Sequence, residues 1–272
     1  MACNVAALVL TGVASRGFCA DDDSLLQKAH AWGRFHPGAW RYVQIITENF
    51  DGDGRLVNSS LTENITTLDA VTAEHATLRV EVTVEIAGQR FPSQPQIIKQ
   101  GYAGENVGQR VSIKALDPEA VTVDGRQIRC ETEQIEILGG ASKETSLISY
   151  APRQTPAILK RRSTTSDVAS DKTTGESYSE VFALDRPVRV FDSIKNAYSV
   201  KQFQKNEHGV TITWSDHVPD VPGEIVAQSS KKLDSQGRLV RRSTLELVAY
   251  GIDGEEFYRD VRSRRYRGKR GR

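Results

Sequence analysis

Leu78-Arg-Val-Glu-Val-Thr-Val-Glu-Ile86 alternates apolar and polar residues without a break. In an extended chain Leu78, Val80, Val82, Val84 and Ile86 fall on one side, and Arg79, Glu81, Thr83 and Glu85 on the other. A strand of this kind has one dry face and one wet face, so the stretch predicts a β-sheet that buries a single side. The five apolar residues are either core or, if the sheet encloses a cavity, the lining for an apolar ligand.

The same period of two extends in both directions from this strand. Tyr42–Phe50 and Arg55–Ile65 flank the turn Asp51-Gly-Asp-Gly54, and Val121–Ile137 folds back around Asp124-Gly125; both read as hairpins. Within the second, the apolar phase slips between Cys130 and Ile135, which predicts a bulge. Residues 97–111 read as a loop-rich connection. Further on, the chain repeats itself. Ser163, Ser177, Glu180 and Ala183 recur as Ser229, Ser243, Glu246 and Ala249, as does Pro156 as Pro222, all at an offset of 66. A partial third copy, Asp51–Glu63, mirrors Asp234–Glu246 at an offset of 183. Self-similarity at fixed spacing is a statement about architecture. The fold class expected is mainly β, an antiparallel meander of repeated hairpins forming a curved sheet, half-barrel or sandwich, with one short N-terminal helix from Ser24 through Leu25, Leu26, Ala29 and Trp32.

The 272 residues divide unevenly in charge. From Arg259 onward eight basic residues face only Asp260, giving +7, so residues 1–258 of a chain with net charge +1 carry −6. Asn4–Ala14 is an apolar run of signal-peptide length, too short for the roughly 20 residues of a membrane-crossing helix. The domains expected are a signal peptide over 1–20, cleaved after Ala14 or Ala20, a β-repeat domain over 21–255 (an N-terminal part, 21–138, and repeated hairpins, 139–255), and a basic disordered tail over 256–272. The mature chain is then periplasmic or secreted, with no transmembrane segment. Arg262, Arg264, Arg265, Arg267, Lys269, Arg270 and Arg272 could hold an envelope polyanion; nucleic acid is a poor partner for an exported chain.

The chain contains no catalytic motif of known spacing, and Cys3, Cys19 and Cys130 are too few and scattered for a zinc site or disulfide framework. No cofactor is implied. Asp51 and Asp53 stand like the first ligands of a calcium loop, but Ser60 occupies the place of the bidentate glutamate, and the copy at Asp234-Ser-Gln-Gly237 keeps only what a turn needs. His217 beside Asp216 and Asp220, and His208 beside Glu207, read as solvated loop residues, because neighbours on a strand point to opposite faces.

The apolar start, the hairpin 121–137 and the unit Ser149-Tyr-Ala-Pro-Arg-Gln-Thr-Pro-Ala-Ile-Leu-Lys-Arg-Arg-Ser-Thr-Thr165 resemble uncharacterised secreted bacterial β-repeat proteins. At the level of fold, residues 120–250 resemble periplasmic lipoprotein-carrier (LolA and LppX) half-barrels. That resemblance implies an acyl chain held against the apolar concave face of one curved sheet under a helical lid; this chain departs from it in having one clear helix. The functions expected are an exported, non-enzymatic binding or scaffolding protein of the cell envelope, a carrier of a lipid or other apolar ligand, or a hydrolase with an unrecognised site.

Overall fold

A computed structural model describes residues 21–252. The expected signal peptide and the basic residues from Arg262 to Arg272 lie outside them. Helix α1 (Asp21–Ala29) begins before Ser24, so Ser24 sits inside the helix and Trp32 lies beyond its end. Strands β1 (Trp40–Phe50) and β2 (Leu56–Val71) form the first hairpin, and β3 (His75–Ile86) pairs with β2. Two short strands, β4 (Gln89–Pro92) and β5 (Gln96–Gly101), both pair with β3.

The chain then crosses to the opposite edge of the same sheet. There β6 (Arg110–Val123) and β7 (Arg126–Gly139) begin a meander that returns through β8 (Ser142–Tyr150), β9 (Ile158–Asp167), β10 (Thr173–Val190), β11 (Ser193–Asn206), β12 (Gly209–His217) and β13 (Ile225–Leu233). It ends in β14 (Leu239–Gly251), which pairs with β1, so the described residues form one 14-stranded antiparallel sheet. As the alternating sequence requires, this is a mainly β fold with one short helix.

One link fixes the shape. Residues 102–109 join β5 to β6, strands at opposite edges. The nine Cα steps from Gly101 to Arg110 reach about 32 Å at most, whereas the flat path between those strands would be about 58 Å at roughly 4.8 Å per strand. The sheet therefore curls. The link is fastened to the inner face: Ala103 is buried among Ile135, Ile137, Ile148 and Tyr150, and Arg161 donates from Nη2 to its carbonyl at 3.2 Å. The concave face carries Leu78, Val43, Leu245, Val181, Ile148 and Ile135, all buried.

The helix and the turn after it close one end of this concave side. Leu25 and Leu26 pack on the patch of β7 and β8, while Trp32 and Phe35 pack on Leu68, Ala76 and Leu78 of β2 and β3. One short segment thus ties the two arms of the sheet together by burying apolar surface between them. The interior is a set of separate apolar patches rather than one continuous core.

The repeats are hairpins, and their registers differ informatively. Asn49 pairs with Asn58 in β1–β2, and the positions 183 further on, Lys232 and Arg241, pair in β13–β14. In the better-matched sequence copy Ser163 pairs with Ser177, but Ser229 pairs with Thr244 and Ser243 with Ser230, a slip of one. The irregularity expected near Cys130 is present, but it arises on the partner strand: Leu116 faces Thr132 and Glu119 faces Cys130, so Asp117-Pro118 oppose Glu131 alone. Pro118 has no N–H to give the ladder.

Because Trp32 is 4% exposed and anchors the turn after α1 on β2 and β3, Trp32→Ala should lower unfolding free energy by about 3–5 kcal/mol. Urea denaturation followed by far-UV circular dichroism measures this; a loss under about 1 kcal/mol would show that the turn is not part of the cooperative unit.

Candidate functional site

At the end of the curl away from α1, the concave face changes character. Glu144, Ser163, Thr165, Thr174, Gly175, Ser177, Gln204, Asn206, Thr211, Lys232 and Arg241 line one trough of about 450 Å3. Its walls run from β8 to β14, seven strands in sheet order, and only strong curvature brings both ends to one cavity. The local cause is plain in the strands. β10 places Gly175, Ser177 and Ser179 on the inner face before Val181, and β12 places Thr211, Thr213 and Ser215 there. Hydroxyls stand where a filled half-barrel would carry Val or Leu. At the trough's margin Ser146 and Ser163 share a 2.6 Å hydrogen bond, and Arg161 pairs with Glu144 at 3.1 Å. Hydroxyls and amides each donate and accept, so this lining suits a polar ligand.

At the closed end lies a buried polar cluster. Glu224, in the loop between β12 and β13, accepts hydrogen bonds from Tyr198 and Arg34. Its backbone is left-handed, φ +59°, a conformation that a non-glycine residue adopts only when its surroundings hold it there. Arg41 donates to the Gly223 carbonyl at 2.9 Å and lies over the Trp32 ring, and Gly223 donates to the Ala31 carbonyl at 3.1 Å. The cluster therefore locks the turn after α1 onto the sheet. Burial lifts the Glu224 carboxyl above its usual range, with Arg34 opposing, and burial lowers Arg41 to about 10.

His217 belongs to this cluster, contrary to its expected place in a solvated loop. It stacks on Tyr198 with ring centroids 4.9 Å apart, and its Nε2 lies 2.8 Å from Ser215 Oγ. Asp216 does point away, as the strand period requires: on the other face it accepts from Ser199 and Arg186. The order serine, histidine, glutamate suggests an acyl-transfer triad, but the geometry opposes it. His217 Nδ1 is 3.9 Å from Glu224 Oε2, beyond a hydrogen bond, and the carboxylate is already bound to Arg34 and Tyr198. Burial, with the Arg41 charge, lowers the His217 pKa to about 4, leaving a weak base at neutral pH. His208 is exposed beside Glu207.

The other residues singled out by sequence fall in separate places. Leu78 is 6% exposed beneath Trp32, and Val80 packs at the same patch. Val82 and Val84 are half-buried, and Ile86 is 46% exposed near the β3–β4 turn. Asp51 Oδ1 accepts the backbone N–H groups of Asp53 at 3.0 Å and Arg55 at 2.8 Å; Asp234 does the same for Gln236 and Arg238, both at 2.9 Å. That oxygen closes a turn in both hairpins, and Asp53 is exposed at the tip. Among the described residues no group of three His, Cys, Asp or Glu side chains could hold a metal ion, and no helix is long and apolar enough to cross a membrane. Sequence reading missed the hydroxyl-lined trough, although strands polar on both faces, such as Gly175-Glu-Ser-Tyr-Ser-Glu180, are its signal.

No protein-family model and no curated protein sequence matches the chain. Three solved structures are similar to the chain at a low level. A DUF1329 family protein from Desulfovibrio piger matches with TM-score 0.37 and 8% identity over 86% of this chain and 91% of that one. A candidate lipoprotein from Parabacteroides distasonis matches with TM-score 0.31 and 11% identity over 79% and 98%. A candidate exported protein with a YmcC-like fold from Bacteroides fragilis matches with TM-score 0.28 and 10% identity over 79% and 97%. Likeness at this level identifies neither ligand nor reaction, so the function is sought in this chain's own residues.

The buried histidine has a measurable consequence. Its folded pKa of about 4 lies below the ordinary 6.5, so between those values the unfolded chain binds a proton that the folded chain does not. Stability is complete above pH 6.5 and is lost as pH falls towards 4, by about 3 kcal/mol over the window. Glu224, with its pKa raised, works in the opposite direction, so the histidine must be isolated by comparison. Between pH 7.5 and 4.5, His217→Asn should lose less stability than the unmodified chain; equal losses in urea titrations would mean that His217 is protonated in the fold.

Proposed function

We propose that this is an exported, non-enzymatic binding protein of the cell envelope whose ligand sits in the concave trough. The trough itself carries this reading. It is preformed, its volume falls in the range of small-ligand pockets, and its side chains stand on hydrogen-bonded strands rather than on loops. Its lining supports a ligand with many hydrogen-bonding groups, with Lys232 and Arg241 placed to meet negative charge. Export to the periplasm or beyond the cell is supported by the apolar run Asn4–Ala14, which has the length of a signal-peptide core.

A second reading, a carrier of a lipid or other apolar ligand, is favoured by a different sector of the same face. Val82 and Val84 are half-buried, Ile86 is exposed, and across the ladder Val84 pairs with Phe91 and Leu78 with Ile98, both exposed. An acyl chain lying there would cover apolar surface that now meets water, at about 25 cal/mol per Å2. The basic residues Arg262, Arg264, Arg265, Arg267, Lys269, Arg270 and Arg272 add an electrostatic contact to an envelope polyanion.

Two experiments test these statements. Native mass spectrometry of the protein gently purified from its own envelope should show a bound species that is absent from Ser177→Trp, whose indole fills the trough. A species retained by that variant but lost in Val84→Asp favours the carrier, and no bound species in the unmodified protein would overturn both readings. For the basic tail, deletion of residues 262–272 should abolish salt-sensitive retention on heparin; an unchanged elution position would remove polyanion binding.

A further inference from the structure

The convex face bears a second concavity. Read across the ladders of β12, β13 and β14, Asp216, Ala227 and Glu246 form one row and Trp214, Ser229 and Thr244 the next. The middle strand supplies the two short side chains, Ala227 and Ser229, so it forms a floor between walls about 10 Å apart, two strand spacings. Phe182 and Arg186 of β10 complete a groove of about 330 Å3. Trp32 and Trp40 are buried, but Trp214 is 37% exposed and Phe182 41%. Large aromatic rings left in water on a sheet face forgo burial energy that they would gain in a core, and here both border the same groove. The polar groups beside them are fixed: Arg186 Nη1 donates to Asp216 Oδ1 at 3.2 Å, and Ser199 Oγ donates to the same oxygen at 2.6 Å.

We propose that this groove is a saccharide-binding site that takes a neutral polysaccharide chain with one sugar ring stacked on the Trp214 indole. A pyranose presents an apolar C–H face to an aromatic ring and hydroxyls at its rim. Those hydroxyls donate to Asp216 and Glu246 and accept from Arg186, Ser229 and Thr244. An extended peptide fits less well. β12, β13 and β14 each have a hydrogen-bonded partner on both sides, so no main-chain edge is open to it. An acyl chain would dehydrate Asp216, Glu246 and Arg186 without replacing their hydrogen bonds. The site lies on the face opposite the trough and does not depend on a ligand there.

The test is affinity electrophoresis of the full chain in native gels containing hydroxyethylcellulose, glycol chitin or dextran, beside a gel without polysaccharide. At least one polymer should retard the protein, and the matching hexasaccharide should shift its tryptophan emission. Trp214→Ala should weaken binding at least about tenfold, while Trp214→Tyr, which keeps a stacking face, should stay within a few-fold of the unmodified protein. Ser229→Arg, an exposed position on the groove floor, should block binding with the thermal transition unchanged, which separates loss of the site from loss of the fold. Unretarded migration in all three gels, or retardation of Trp214→Ala equal to that of the unmodified chain, would overturn the proposal.

Discussion

The structure depends on one constraint: a chain link of eight residues, 102–109, has to join strands that a flat sheet would hold far apart. Curvature follows, and with it an inside and an outside. A single antiparallel sheet has no second layer to cover its apolar side, so this one covers itself. It folds its arms around α1 and the Trp32 turn. Arg161 reinforces the closure with neutral and charged partners at once, reaching Ser146, Ser163, Glu144 and the Ala103 carbonyl. Because α1 and the turn after it fill only one end of the curl, the other end is free to be polar, and the hydroxyl-rich strands occupy it.

Much of this was legible in the residues, for physical reasons that are easy to state. The period of two from Leu78 to Ile86 dictates a strand, and Asp-Gly pairs dictate turns, because both are local properties of the backbone. The offset of 183 between Asp51 and Asp234 identified hairpins whose register and turn hydrogen bonds are the same. The offset of 66 was a weaker guide. Its Ser-for-Ser matches survive a one-residue slip because a small hydroxyl side chain is tolerated on either side of a strand.

What was not legible is what depends on distant parts of the chain meeting. His217 reads as a loop residue when only its sequence neighbours are considered; its surroundings are Tyr198, Glu224 and Arg41, brought together by three strands and a loop. The trough escaped for a related reason: Ser177, Gln204 and Thr211 are unremarkable singly and form a lining only once the sheet has curled. The exposed ring of Trp214 is a third case, since a tryptophan in an alternating strand is ordinarily expected to point inward.

The pairing of β14 with β1 also governs how the sheet can be assembled. Trp40 finds its partner at Gly251, so the seam that joins the first hairpin to the meander cannot form until nearly the whole described chain is present. Contacts so remote in sequence make for slow folding, and until they form β1 presents an unpaired edge to any other strand nearby. Charged side chains along that seam, Glu48 and Arg242 among them, oppose each other when correctly matched, and would discourage the same edge from joining a second copy in the wrong register. Late closure makes the time before β14 arrives the interval in which this molecule is most exposed to misassembly.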